Sequence, residues 1–466
     1  MLAYRLKNLF RSPFRGIFDE AQLLPEIRRS IAMMVMGNIF GNLFGVITTG
    51  SALTGFARDL GANDLIFGVL SGIPLAASLM QIPAAILVSR TQKRKQYMLT
   101  FGILSRAIWL IVGLVPYLIT VDTGLIRLWS IIFLVGLSAA NGSFINVSFT
   151  PWMADLIPIS IRGRWMSVRD GMNAVGSVII GLITAYALDH MAGYAGYAFV
   201  FILGGTLGVL DMCCFIFVKE VHHSAPIKTS ILKVARQIFS DGPFCRFMIF
   251  WTAWCFTANL SAPYLLRYAL GEMGLSYIQV TLSSQIAAAL TTVLVITFWG
   301  RSLDRYGSKP VLWIACTISS LAQGAYLFSV YGSVLPTLLH NVIGSAFWCA
   351  TNLAATNRLL SSSPDDQRPS YVAFFSSFAS LLGSFLGVLA GGALLEFVQT
   401  IINRQSSSTG FLSDRYKIII TLSIVARLSV VMLFIPKLDN EKGYTVKAVL
   451  RDLGRRIMPA RRPGRF

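Results

Sequence analysis

The chain is poor in charge: 13% of its 466 residues are Asp, Glu, Lys or Arg, where soluble domains carry about 25%. Acid is scarcest, with 21 Asp and Glu against 40 Lys and Arg. Polar linkers that would divide a soluble chain of this length are missing. A soluble enzyme, a coiled coil and a disordered chain are excluded together. Only four histidines occur, His190, His222, His223 and His340, and no paired acidic motif or nucleophile with a base accompanies them, so the chain reads as not an enzyme. The six cysteines, Cys213, Cys214, Cys245, Cys255, Cys316 and Cys349, all fall in apolar segments without CxxC or Cys/His spacing. Free thiols are expected, with neither a disulfide framework nor a zinc site. No cofactor is implied.

What the chain has is apolar length. Hydrophobic residues make up 55%, mean hydropathy is +0.64, and runs of 20 or more apolar residues, each able to cross a ~30 Å hydrocarbon layer, recur throughout. Hydropathy predicts twelve helices, at 30–57, 64–88, 96–120, 125–150, 167–190, 196–218, 244–268, 277–299, 309–331, 334–357, 370–397 and 416–436. With an even number of spans both termini share one side. That side holds 32 of the 40 Lys and Arg, the other side six, and Arg106 and Arg427 lie within spans. The positive-inside rule makes the rich side cytoplasmic. The excess of basic residues therefore serves topology and implies no nucleic-acid partner. A basic N-terminal segment (1–29) precedes a first bundle (30–218). A cytoplasmic central loop (219–243) leads to a second bundle (244–436) and a basic tail (437–466) that reads as a membrane-surface anchor.

The two bundles repeat each other. Leu60-Gly61-Ala62 stands between spans one and two, and Met273-Gly274-Leu275 between seven and eight, an offset of 213. Lys95 ends the second loop as Lys309 ends the eighth, offset 214; Pro158 with Arg162 returns as Pro364 with Arg368, offset 206. Such internal symmetry implies two similar bundles with a site between them.

The segment Gly300-Arg301-Ser302-Leu303-Asp304-Arg305-Tyr306-Gly307-Ser308-Lys309 resembles the G-x-x-x-D-R-x-G-R/K-K signature of the major facilitator superfamily, with Ser308 replacing one closing base. Arg162-Gly163-Arg164 after span four also resembles a basic motif of that superfamily. The resemblance implies an all-α polytopic membrane protein of twelve transmembrane helices in two pseudo-symmetric six-helix bundles. It implies a secondary transporter working by alternating access. In the first half the copy departs: Ile86, Arg90 and Lys93 occupy the first Gly, Asp and second Gly positions. That loop reads chiefly as a topology signal.

Within that family frame spans one, four, seven and ten surround a central cavity. Asn42, Asn146, Asn259, Asn352, Trp254 and Trp348 sit on those spans and Gln285 on span eight. Amides beside aromatics suit a small organic solute, with a lipid or lipid-linked substrate, or a transporter-like receptor, as alternatives. The signature residues Gly300, Asp304, Arg305, Gly307 and Lys309 are expected to form a cytoplasmic gate with Arg164 and Arg169 at the start of span five. Stripes of small residues on spans one, two, five and eleven would allow the bundles to rock, or serve static packing. Arg106 and Asp211 lie in one half at comparable depth and suggest an ion pair. Arg427 has no evident partner, and an anion or lipid-headgroup contact is open. No cavity span carries a mid-membrane carboxylate, which weakens proton-coupled symport without excluding it; the coupling partner expected is a proton or a sodium ion. No GxxxxGK[ST] loop exists for nucleotide-driven transport. The expectation is a monomeric, multi-pass protein of the cell membrane, plasma or inner, surrounded by the lipid bilayer.

Overall fold

The computed structural model describes residues 25–120, 124–220, 231–364, 368–404, 414–440 and 443–446, with Val449 and Arg451. The basic N-terminal segment before Pro25, most of the tail and residues 221–230 of the central loop lie outside the described residues. The chain divides into two compact units, one of residues 1–228 with 276–281, the other of 229–275 with 282–466. Every regular element among the described residues is helical.

In the first unit span one runs Pro25–Thr48 and continues as Ser51–Asp59. Gly50 makes the break at φ 89°, a left-handed backbone that glycine adopts without a Cβ clash. Span two (Asp64–Ala77, extended to Thr91) starts where the Asn63 side chain accepts from the Ile66 N–H at 2.8 Å. Spans three to six are Arg94–Leu118, Gly124–Leu156, Ile159–His190 and Ala195–Ile216. A core of the unit gathers Met34, Met98, Trp152, Trp165 and Phe215.

The second unit opens with a helix, Ile231–Ser240, inside the segment expected to be a loop. Its Ile238 is buried, and Phe239 meets Phe374 and Phe378 edge-on. Span seven is split into Gly242–Asn259 and Ala262–Leu270, because Pro263 bars the continuing hydrogen bond. Spans eight to twelve are Tyr277–Tyr306, Ser308–Phe328, Leu335–Ser361, Arg368–Arg404 and Arg415–Phe434. Spans eight and eleven each contain a π-helical turn, at Leu282–Ile286 and Ala379–Phe385.

Among the described residues ten helices are long and apolar enough to cross a membrane. Spans seven and ten are the two that fall short: one is interrupted, and the other carries His340, Asn341, Asn352, Asn357 and Arg358. Elsewhere large apolar side chains stay exposed, Leu294 by 77%, as lipid-facing positions require.

On spans one and eleven glycines of the small-residue stripes are used for close packing inside each unit. A Cβ on Gly383 would come within 2.8 Å of the Thr252 carbonyl oxygen, and Cβ atoms on Gly387 and Gly391 would strike the Phe256 and Leu260 carbonyls. Span eleven is thus pressed, backbone to backbone, onto span seven. Gly37 and Gly41 of span one face Phe215 and Asp211 of span six.

Candidate functional site

In the first unit, polar side chains of spans one and five form a seam. The Asn42 amide donates to Ser177 Oγ at 2.8 Å and to the Asn173 carbonyl at 3.2 Å, and Asn173 donates to Asn38 at 3.0 Å. The Asn42 amide is therefore engaged in helix–helix bonding. Asn146 on span four is exposed. Behind span one, Arg106 of span three meets Asp211 of span six at 3.3 Å, with its guanidinium carbon 3.9 Å from the Phe44 ring. The ion pair expected from depth alone is formed.

A second cluster lies where the chain of span eight begins. Asp189, at the end of span five, accepts from the Tyr277 and Ile278 N–H groups at 2.9 and 3.0 Å, capping that helix start. Tyr197 donates to Asp59 at 2.6 Å and lies 2.8 Å from the Tyr277 hydroxyl. Since Tyr197 has spent its proton on Asp59, the Tyr277 O–H is the donor between the two tyrosines. Gly55 leaves room for the Tyr277 hydroxyl. Local sequence gave no sign of this cluster, because Asp189 and its partners are 88 and 89 residues apart. Asp189→Ala should free the first turn of span eight at a cost of about 1–2 kcal/mol. Faster amide hydrogen exchange over 277–281 checks it, and unchanged protection there would refute the cap.

The basic loops turn out to close helices. Lys95 Nζ donates to the Ile216 and Val218 carbonyls at 2.8 and 2.7 Å, at the end of span six. Lys309 Nζ donates to the Pro436 and Leu438 carbonyls at 2.9 and 2.6 Å, at the end of span twelve. A cation on terminal carbonyls satisfies both their lone pairs and the helix dipole. The two lysines are 214 residues apart, so the duplication noted above extends to the contacts. Beside Lys95, Arg94 pairs with Asp155 at 2.9 Å and lies over Trp152. Lys309, grouped with the gate by its motif, thus holds span twelve in its own unit.

Gly307 joins spans eight and nine at φ 83°, the left-handed conformation that explains the glycine. In the first half the positive φ falls on Gln92, which is left-handed helical (φ 56°, ψ 17°) where Gly307 is extended in ψ (174°), one position before Lys93. Asp304 and Arg305 are exposed, with Arg305 over the Tyr306 ring at 5.3 Å, and Gly300 has open space beside it. Arg169 pairs with its neighbour Asp170 at 2.8 Å and lies 5.1 Å from the Trp165 ring. The Arg164 side chain is outside the described residues.

In the second unit Trp254 and Trp348 stack with ring centroids 6.4 Å apart, Trp254 fully buried and Trp348 40% exposed. Asn352 on the same span is exposed. Asn259 donates to the Cys255 carbonyl of its own helix at 2.9 Å. Gln285 sits in the π turn of span eight, and its carbonyl oxygen is buried without a partner. Arg427 of span twelve donates to the Ala258 carbonyl at 2.9 Å.

Helices of membrane-crossing length in two compact units, closed at corresponding places by corresponding lysines, define the fold of a polytopic membrane transporter. The chain belongs to the Major Facilitator Superfamily, whose family model matches residues 35–388. A bacterial homolog of the human lysosomal transporter Spinster, in an inward-facing and unoccupied conformation, shares the fold at TM-score 0.69 and 13% identity, over 92% of this chain and 99% of that one. A single-residue mutant of the nucleoside transporter NupG gives TM-score 0.65 at 14% identity, over 88% and 100%. The inward-open xylose transporter XylE from E. coli gives 0.63 at 14%, over 90% and 99%. No curated protein sequence matches the chain.

Proposed function

We propose that the protein is a secondary active transporter that moves a small organic solute across the cell membrane by alternating access, with both termini cytoplasmic. The reading rests on Trp348, a large aromatic left 40% exposed and stacked on the buried Trp254, with the exposed Asn352 on the same helix. An aromatic face beside an amide offers an organic molecule an apolar contact and a hydrogen bond. Spans seven and ten carry these groups and are the ones short of membrane hydropathy. The coupling ion is assigned by the same assay that identifies the cargo.

The test is uptake of a panel of sugars, nucleosides, peptides and organic acids into proteoliposomes, with and without a pH gradient. One class of solute should accumulate, and Trp348→Ala should lower its uptake roughly tenfold while the purified protein keeps its unfolding temperature. Absence of uptake for every solute, or unchanged uptake in the variant, would overturn the reading.

A further inference from the structure

The duplication places Arg427 of span twelve at an offset of 216 from Asp211 of span six. In the first half a guanidinium lies over an aromatic ring of span one, Arg106 on Phe44, and Asp211 supplies the negative charge. The second half repeats two of these three parts. The Arg427 guanidinium carbon is 5.6 Å from the Trp254 ring of span seven. The acid has become the cation, and Ser320 stands 214 residues after Arg106. Among the described residues no carboxylate pairs with Arg427. The ionisable side chains near it are Cys316 and His340, neither of them a carboxylate.

Arg427 is 4% exposed, and its Nε has no acceptor. The indole N–H of the fully buried Trp254 has none either. Both groups can only donate. A buried cation without its counter-charge is costly in any apolar interior, and two idle donors add to that cost. A bound anion relieves all three at once. Trp254 also touches the exposed Trp348, so the buried cation is one ring away from an accessible aromatic face.

We propose that the C-terminal unit holds a site for a monovalent anionic group, a carboxylate or a halide, received by Nε of Arg427 and the indole N–H of Trp254. The site stands without the transport reading; only its identification as the place of a cargo's own carboxylate rests on that reading.

The full-length protein in detergent is titrated with chloride, acetate or benzoate, at constant ionic strength maintained by a bulky sulfonate. Tryptophan fluorescence and the unfolding temperature are followed. A saturable response is expected in the native protein. It should vanish in Arg427→Met and move to roughly tenfold higher concentration in Trp254→Phe, which removes one donor and keeps a ring. Saturation by chloride and acetate alike supports a site for a free small anion. Saturation by benzoate alone supports an anion carried on an organic body, as the Trp348 face suggests. The proposal is overturned if no anion gives a saturable response, or if the response is unaltered in both variants. Should Arg427→Met not fold, Trp254→Phe, read by unfolding temperature, decides. Because binding is measured without transport, a failed uptake panel and a failed anion site are separate results.

Discussion

Asp211→Ala should destabilise the purified protein by about 3–5 kcal/mol, the usual cost of orphaning a buried charge. The carboxylate is buried, sits 3.3 Å from Arg106, and lies against Gly41, where a Cβ would meet its Oδ2 at 2.7 Å. Arg106 Nε already lacks an acceptor, so loss of the acid leaves the guanidinium with the Phe44 ring and little else. The double variant Arg106→Met/Asp211→Leu should recover most of the loss, because an apolar pair of similar volume carries no desolvation penalty. Unfolding in detergent, followed by heat or denaturant, measures both. If the double variant is as unstable as the single one, packing rather than charge governs this site.

Gly391→Val should abolish the folded protein. Its side chain would enter the Leu260 carbonyl and the Tyr264 ring, and Tyr264 is itself fixed by a 2.7 Å hydrogen bond to the Val388 carbonyl. Overpacking typically costs about 1–3 kcal/mol; here backbone stands in the way, and no rotamer change can relieve it. Gly45→Ala is the control, because a Cβ there meets nothing within 4 Å. Recovery of monodisperse protein should separate the two. A well-folded Gly391→Val would show that spans seven and eleven are not held by close backbone approach.

What the sequence revealed and what it hid divide along physical lines. Span positions are written in local hydropathy, and the duplication in loop residues that recur at a near-constant offset, so both were readable. The Arg106–Asp211 pair was readable because two opposite charges at comparable depth in lipid have few alternatives, and a long Arg side chain spans the modest difference. The break in span seven was signalled by Pro263, and the Ile231–Ser240 helix by Ile231, Val234 and Ile238 at helical spacing. The Asn42 seam, the Asp189 cap and the lysine closures bind groups from 88 to 135 residues away. Nothing local distinguishes such an Asn or Lys from one facing water or a solute. The π turns likewise leave no periodic trace in an apolar helix.

Those π turns carry a mechanical consequence. Each is one residue of surplus length stored in an otherwise regular helix. Passing that surplus along by a single position rotates the intervening residue by about 100° around the helix axis, at the α-helical repeat, while the number of backbone hydrogen bonds is kept. In span eight the stored residue lies at Leu282–Ile286, immediately after the six residues that belong with the first unit. Gln285, whose carbonyl oxygen has no partner where it stands, is the side chain such a shift would re-aim. Such a shift would change which groups the helix presents without unwinding or breaking it.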